Sequence, residues 1–312
     1  MSRERVRVLS HLPVALLARA SELVPTAELV HIPADDALPP DVGGEVLLTF
    51  TRGAPNLAEV LARGVRWIHT IGTGIDGFPL EHVGERVLTC ARGASAVPIA
   101  EWVMAMLLSF EKRLPESWIH DPPERWNLAT LSCLAGRTLG LIGLGGIGLA
   151  VAERARPFGV RMIAHRRSPQ PSPHVDIEIV ELDTLLEASD HVVVVAPATA
   201  STRHLLDARA FARLKPGAHL VNVSRGGLVD QDALRDALDS GRLACASLDV
   251  VEPEPLPEGH WLYSHPRVRL SPHISWCMPD AIPRILDSFA ENLRRYAAGE
   301  PLLGVVDLKR GY

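Results

Sequence analysis

The sequence predicts an α/β protein made of two doubly wound parallel-sheet domains. Three observations point there. Short apolar runs alternate with helix-period stretches along the chain, which is the pattern of βαβ units and a parallel sheet. The length of 312 residues suggests about two domains at roughly 150 residues each. Apolar residues make up 47% and charged residues 22%, close to the globular norm of about 45–50% and 25%, so disordered, collagen-like and disulfide-scaffold classes are excluded. The net charge is −5 with no block of like charge, a poor match for nucleic acid, where binding depends on a basic face.

In the first third, Val6 to Leu9 reads as a strand, 15–23 as an amphipathic helix, 45–49 as a second strand, 56–63 as a second helix and 66–70 as a third strand ending at the turn Gly72-Thr73-Gly74. A longer helix over 97–112 carries Ile99, Trp102, Val103, Met106, Leu107 and Phe110. That apolar face is wide enough for burial between two layers. A proline-rich loop follows, with Trp126 beyond it expected in the core. The second block then alternates strands at 138–142, 161–165, 191–195, 219–223 and 244–250 with helices at 147–156 and 231–240, and the tail over 279–298 reads as one more helix. No apolar run approaches the roughly 18 residues needed to cross a bilayer. Cys90, Cys133, Cys245 and Cys277 show no metal-ligand spacing, so reduced thiols in a soluble cytoplasmic protein are expected and no metal.

Gly143-Leu144-Gly145-Gly146-Ile147-Gly148 fits G-x-G-x-x-G between a strand and a helix. The setting matters more than the glycines alone: Gly143 permits the tight turn, Gly145 lets backbone approach a pyrophosphate, and Gly148 lets helix and strand pack closely. The helix start then offers N–H groups and a positive dipole end to phosphate. An acidic residue for the ribose diol of NAD is expected about 20 residues on. Arg166, Arg167 and Ser168 stand there instead. A guanidinium pair suits a 2′-phosphate, so NADP(H) is expected over NAD(H); the alternative is solvated arginines and either cofactor.

Arg225, Glu254 and His273 each fall just past the carboxyl end of a strand, the edge where open α/β sheets bind ligands. Glu252 competes with Glu254 for its part, and with 13 histidines present any one of them is more often structural than chemical. The ordered set GLGGIG, NVSRGG, LDVVEPEP and SPHIS resembles the D-isomer-specific 2-hydroxyacid dehydrogenase family, and within it the NADPH-using glyoxylate/hydroxypyruvate reductases. Ile71 to Asp76 is similar to part of the family's substrate domain, and Ala96 to Glu101 to the start of its interdomain helix. Arg166 in place of an acid and Val251 in place of a common aromatic depart from the pattern.

The resemblance implies Rossmann-like and flavodoxin-like domains: residues 1–98 with 280–312 for substrate, 99–279 for the dinucleotide, and a cleft between them. It implies that Arg225, Glu254 and His273 form the catalytic set and favours Glu254 over Glu252. Residue chemistry agrees. Imidazole titrates near working pH and can give a proton to a keto oxygen. A carboxylate on it fixes the tautomer and favours the protonated form. A guanidinium grips the substrate carboxylate and polarises the carbonyl. The amides of Gly72, Thr73, Gly74 and Ile75 could bind the carboxylate as a nest. Asp249, by resemblance, could contact the nicotinamide carboxamide; Ala196, Pro197, Thr202 and Val223 could border the cofactor. Arg52 reaches substrate or is solvated, and Trp276 walls the pocket or packs in the core. Family members are similar in forming dimers, so a homodimer is expected. Two rivals remain: a dinucleotide-sensing corepressor, and a sister dehydrogenase for phosphite or formate.

Overall fold

The computed structural model describes residues 5–127, 129–167, 172, 174 and 176–312. They fall into two units, 1–95 with 278–312, and 96–277. In chain order the first unit has β1 (Arg7–Ser10), α1 (Ala18–Leu23), β2 (Glu28–His31), β3 (Val46–Thr49), α2 (Leu57–Leu61), β4 (Trp67–Thr70) and β5 (Val87–Cys90). The second has α3 (Ala96–Glu111), β6 (Thr138–Ile142), α4 (Gly146–Ala155), β7 (Arg161–His165), β8 (Ile177–Ile179), α5 (Leu182–Ala188), β9 (His191–Val194), α6 (Ala208–Arg213), β10 (Ala218–Asn222), α7 (Gln231–Asp239), β11 (Leu243–Leu248) and β12 (Val268–Leu270). The chain then returns to the first unit with α8 (Ala281–Ala298).

Both sheets are parallel between every pair of named strands. The first has the order β2-β1-β3-β4-β5 and the second β12-β11-β10-β9-β6-β7-β8. The order reverses between β1 and β3 in one and between β6 and β9 in the other, the switch points at which doubly wound sheets open a crevice beyond their strand ends. Central strands such as VLLT of β3 and HVVV of β9 are buried throughout, as sheets covered on both faces require.

Each sheet has two apolar layers. In the first unit, Leu57 and Val60 of α2 cover one face, while Leu286, Phe289 and Leu293 of α8 cover the other, over Trp67. The Trp67 ring stacks on Phe289 at 5.7 Å and on Tyr296 at 5.2 Å. In the second unit α5, α6 and α7 pack on one face and α3 and α4 on the other. Burial of α3 is one-sided: Ile99, Val103 and Leu107 are buried, whereas Trp102, Met106 and Phe110 are half-buried, so the expectation of a helix enclosed between two layers is corrected. Trp126 is also corrected: it is 71% exposed, not core.

Candidate active site

The carboxyl edge of the second sheet is built by five turns, one after each of β6, β9, β10, β11 and β12. At the switch point Gly143 has φ +106°, and a Cβ there would come within 2.9 Å of Val195 and Ala196 backbone. A Cβ on Gly148 would lie 2.6 Å from the Gly143 carbonyl oxygen. A Cβ on Gly145 would meet open space. Gly145 is the N-cap of α4, and no side chain caps the helix. The first-turn amides of Gly146, Ile147 and Gly148 therefore open onto room that suits a pyrophosphate. Arg166 and Arg167 follow β7 directly, whose last carbonyl, that of His165, accepts the Gly143 N–H at 2.8 Å. Arg167 Nη1 donates to Ser201 Oγ at 3.3 Å. Ser168 lies outside the described residues.

His273 and Glu254 meet: Nδ1 lies 2.8 Å from Oε2, with both side chains about one-third exposed, at 39% and 34%. With a carboxylate as acceptor, Nδ1 carries the hydrogen and Nε2 is the nitrogen left for chemistry. Glu254 Oε1 accepts the Val251 N–H at 3.1 Å. The competitor Glu252 turns instead to Arg203, whose Nη1 donates to both its oxygens at 3.0 Å. Arg225 follows β10, half-buried, and its Nη1 donates to the Ser224 carbonyl at 2.7 Å. Asn222 shapes that turn, donating from Nδ2 to the Arg225 carbonyl at 3.0 Å and accepting the Ser224 N–H at 3.1 Å.

His273 holds φ +55°, and Asp249 fixes that conformation. Its carbonyl accepts the His273 N–H at 2.9 Å. Its buried carboxylate accepts the Ser271 hydroxyl at 2.5 Å and the Ile274 and Ser275 N–H groups at 2.8 and 2.9 Å. Asp249 is thus committed to the loop that carries the imidazole. Trp276 is half-buried, packs against the core on the α3–α4 side, and donates from Nε1 to the His273 carbonyl at 3.0 Å.

Other candidates contribute mainly backbone. Val223 is buried in that same core. Ala196 is buried, and its carbonyl accepts the Ser224 hydroxyl. The Thr202 hydroxyl is taken up in the turn from Pro197, 2.9 Å from the Pro197 carbonyl and 2.8 Å from the Thr199 N–H. In the first unit Arg52 follows β3, is exposed and passes over Gly77. Gly72, Thr73, Gly74 and Ile75 follow the neighbouring β4; Gly72 lies against Thr51, and Ile75 is core. Asn222, Ser271 and Gln231 were missed in the sequence. Only Asn222, two residues before a backbone turn, carried a signal, that of an Asx turn.

The phosphate-binding turn, the imidazole–carboxylate pair and the guanidinium thus share one sheet edge. Residues 104–275 match the family model of the D-isomer specific 2-hydroxyacid dehydrogenase NAD binding domain. This chain belongs to that family. A hydroxypyruvate reductase of Thermotoga maritima is 32% identical over 296 residues, covering 91% of this chain and 95% of the relative. A glyoxylate reductase of Thermofilum pendens is 35% identical over 78% of this chain and 76% of the relative. A solved D-isomer specific 2-hydroxyacid dehydrogenase of Xanthobacter autotrophicus, in complex with NADPH and MES, is 27% identical, with a TM-score of 0.84 over 99% of this chain and 100% of the other. The dehydrogenase is an NAD(P)-dependent oxidoreductase acting on the CH–OH group of a 2-hydroxy acid, which favours the enzyme over the corepressor and phosphite or formate readings. Among the described residues, no helix is long and apolar enough to cross a membrane and no cluster could hold a metal.

Proposed function

We propose that this dehydrogenase reduces a small 2-keto acid of the glyoxylate or hydroxypyruvate class to the D-2-hydroxy acid, with NADPH preferred over NADH. The observation that carries the reading is the 2.8 Å bond from His273 Nδ1 to Glu254 Oε2 at the strand-end edge. When bound, the dinucleotide supplies the hydride from its nicotinamide ring. His273 Nε2 delivers the proton to the keto oxygen, and Glu254 holds the ring in the orientation and tautomer that make this possible. Arg225 binds the substrate carboxylate and opposes the negative charge growing on the keto oxygen. The amides of Gly72, Thr73, Gly74 and Ile75, with Arg52 nearby in the same sheet edge, bind the carboxylate as a nest, and Trp276 borders the pocket. The names of the Thermotoga and Thermofilum relatives support the substrate class. Arg166 and Arg167 support NADPH, since guanidinium groups make charge-assisted bonds to a 2′-phosphate, and the Xanthobacter enzyme was solved with NADPH.

The dehydrogenase works as a homodimer in this reading. A groove of about 870 Å³ runs along the open side of α3, lined by Trp102, Met106, Phe110, Trp118 and Leu270 among others. Its lining takes in the amino-terminal ends of β10 and β12 and runs on to Leu270 and Ser271, two residues before His273. In the segment after α3, Trp118, Ile119, Trp126 and Leu131 are exposed at 63%, 54%, 71% and 45%. The groove also carries charged side chains, among them Arg113, Glu116, Arg267 and Arg269, and a groove of mixed character with an exposed apolar segment on one chain supports a two-fold dimer. Four free cysteines suit the reducing cytoplasm.

Steady-state kinetics with glyoxylate, hydroxypyruvate and bulkier keto acids, each with NADPH and NADH, tests the proposal. His273→Ala is expected to lose about 10²–10⁴-fold in kcat while still binding NADPH. Near-wild-type turnover in that variant overturns the mechanism, and a preference for NADH overturns the cofactor assignment.

A further inference from the structure

We propose that Gln231 is a positioning residue for the His273–Glu254 pair and acts through the main chain of Glu252. The proposal rests on the reading of that pair as the proton-transfer couple. Glu254 sits on a turn after β11 that has no regular secondary structure of its own. Something must hold this turn if its carboxylate is to stay 2.8 Å from an imidazole carried by a different loop.

Gln231 supplies that hold. Its Nε2 donates to the Glu252 carbonyl at 2.6 Å, and its Oε1 accepts the Glu252 N–H at 3.2 Å. A planar amide matched to both backbone groups of one residue fixes the position and the orientation of that residue together, as a ladder pair does in a sheet. Gln231 is itself well anchored as the first residue of α7. Asp230 before it caps the helix by accepting the Asp232 and Ala233 N–H groups, and Leu234 and Leu238 bury the helix face. Gly226 lets the turn lie directly against the backbone after β10: a Cβ there would overlap the Val251 carbonyl carbon. The Arg203–Glu252 ion pair is more than 45% exposed on both sides and adds little. The chain of contact therefore runs from the buried face of α7 through Gln231 to the Glu252 peptide, then two residues on to Glu254 and across to His273 Nδ1. Gln231 touches neither the imidazole nor any proposed substrate group.

The test uses Gln231→Met, similar in length but without the paired hydrogen bonds, together with Gln231→Glu, which keeps the acceptor for the Glu252 N–H, and His273→Ala. Keto-acid reduction by NADPH is measured alongside ¹⁵N-resolved spectra of the His273 imidazole. Gln231→Met is expected to lower kcat by about tenfold, since catalytic geometry is sensitive to small misplacements, with the KM for NADPH unchanged. Its spectrum should lose the wild-type bias toward a hydrogen on Nδ1. Gln231→Glu should recover part of both. If Gln231→Met does not fold, Gly226→Ala displaces the same turn and should give the same spectral change. Wild-type kcat in Gln231→Met overturns the proposal, and so does an unchanged imidazole spectrum. His273→Ala separates the two ideas: if it stays active, the proton-transfer reading fails and the role of Gln231 falls with it; if it is dead while Gln231→Met behaves as wild type, only the role of Gln231 fails.

Discussion

At the scale of single residues, His273 stands in a left-handed backbone conformation, which costs a non-glycine residue about 1–3 kcal/mol. Asp249 offsets that cost through four hydrogen bonds to its loop. The sequence displayed the chemistry-bearing residues here, because a histidine, an arginine and an acid placed after strands stand out by type and position. It did not display Gln231, Ser271 or the work of Asp249, whose partners are peptide groups and, between Ser271 and Asp249, each other's side chains on separate turns, pairings that leave no trace in residue type. Buried histidines give a second residue-scale expectation. His69 is wholly buried, bonded through Nδ1 to Thr89 Oγ1 at 2.7 Å, and burial pushes its pKa down to about 3. The unfolded chain takes up that proton near the ordinary value of about 6.5. The folded form is therefore fully favoured above that value, and its advantage shrinks as pH falls toward 3, by about 1.4 kcal/mol per pH unit. His219 is also pushed well down, by burial and by neighbouring His191, and acts in the same direction. Urea titrations at about pH 7 and about pH 5 should show lower stability at the acid value, and His69→Leu should reduce the difference by that group's share.

At the scale of elements, central strands and edge strands were unequally legible. The strands at 138–142 and 161–165 lie where apolar periodicity puts them. β2, β5 and β8 went unread and β12 was only implied, as the strand before His273 without bounds; these are the four outer strands of the two sheets. Each has three or four residues and a named strand on one side only, with β5 bridged on its other side from Thr89 to Val305, so it needs no continuous apolar run. The phosphate turn shows the opposite case, in which residue type dictates contact. Gly148→Ala would put a methyl 2.6 Å from the Gly143 carbonyl oxygen and push α4 off its strand. We expect it to weaken NADPH binding by about tenfold or more and to cost about 1–3 kcal/mol of stability; fluorescence titration of NADPH and thermal melts would check this, and wild-type values in both would show that the turn tolerates the methyl.

For the whole molecule, the sequence showed the alternation that makes two parallel sheets but not which surfaces stay apolar. Trp126 looked like core because a lone tryptophan carries no label for an exposed face, and it is 71% exposed. Light scattering after size exclusion should give twice the chain mass for the wild type. Trp118→Asp with Trp126→Asp should give the single-chain mass with the second unit still folded. A wild-type monomer, or a doubly substituted dimer, removes this interface.

The first unit is assembled from both ends of the chain, with the second unit inserted between them. Its Trp67 face is closed by Phe289 and Tyr296, close to the end of the sequence. On a ribosome, every strand of both sheets emerges before that helix does. The inserted unit can complete its own layers during translation, whereas the early-made sheet has only Leu12, Leu17, Ala20 and Val24 over its Trp67 face until that helix arrives, an interval in which uncovered apolar surface favours aggregation.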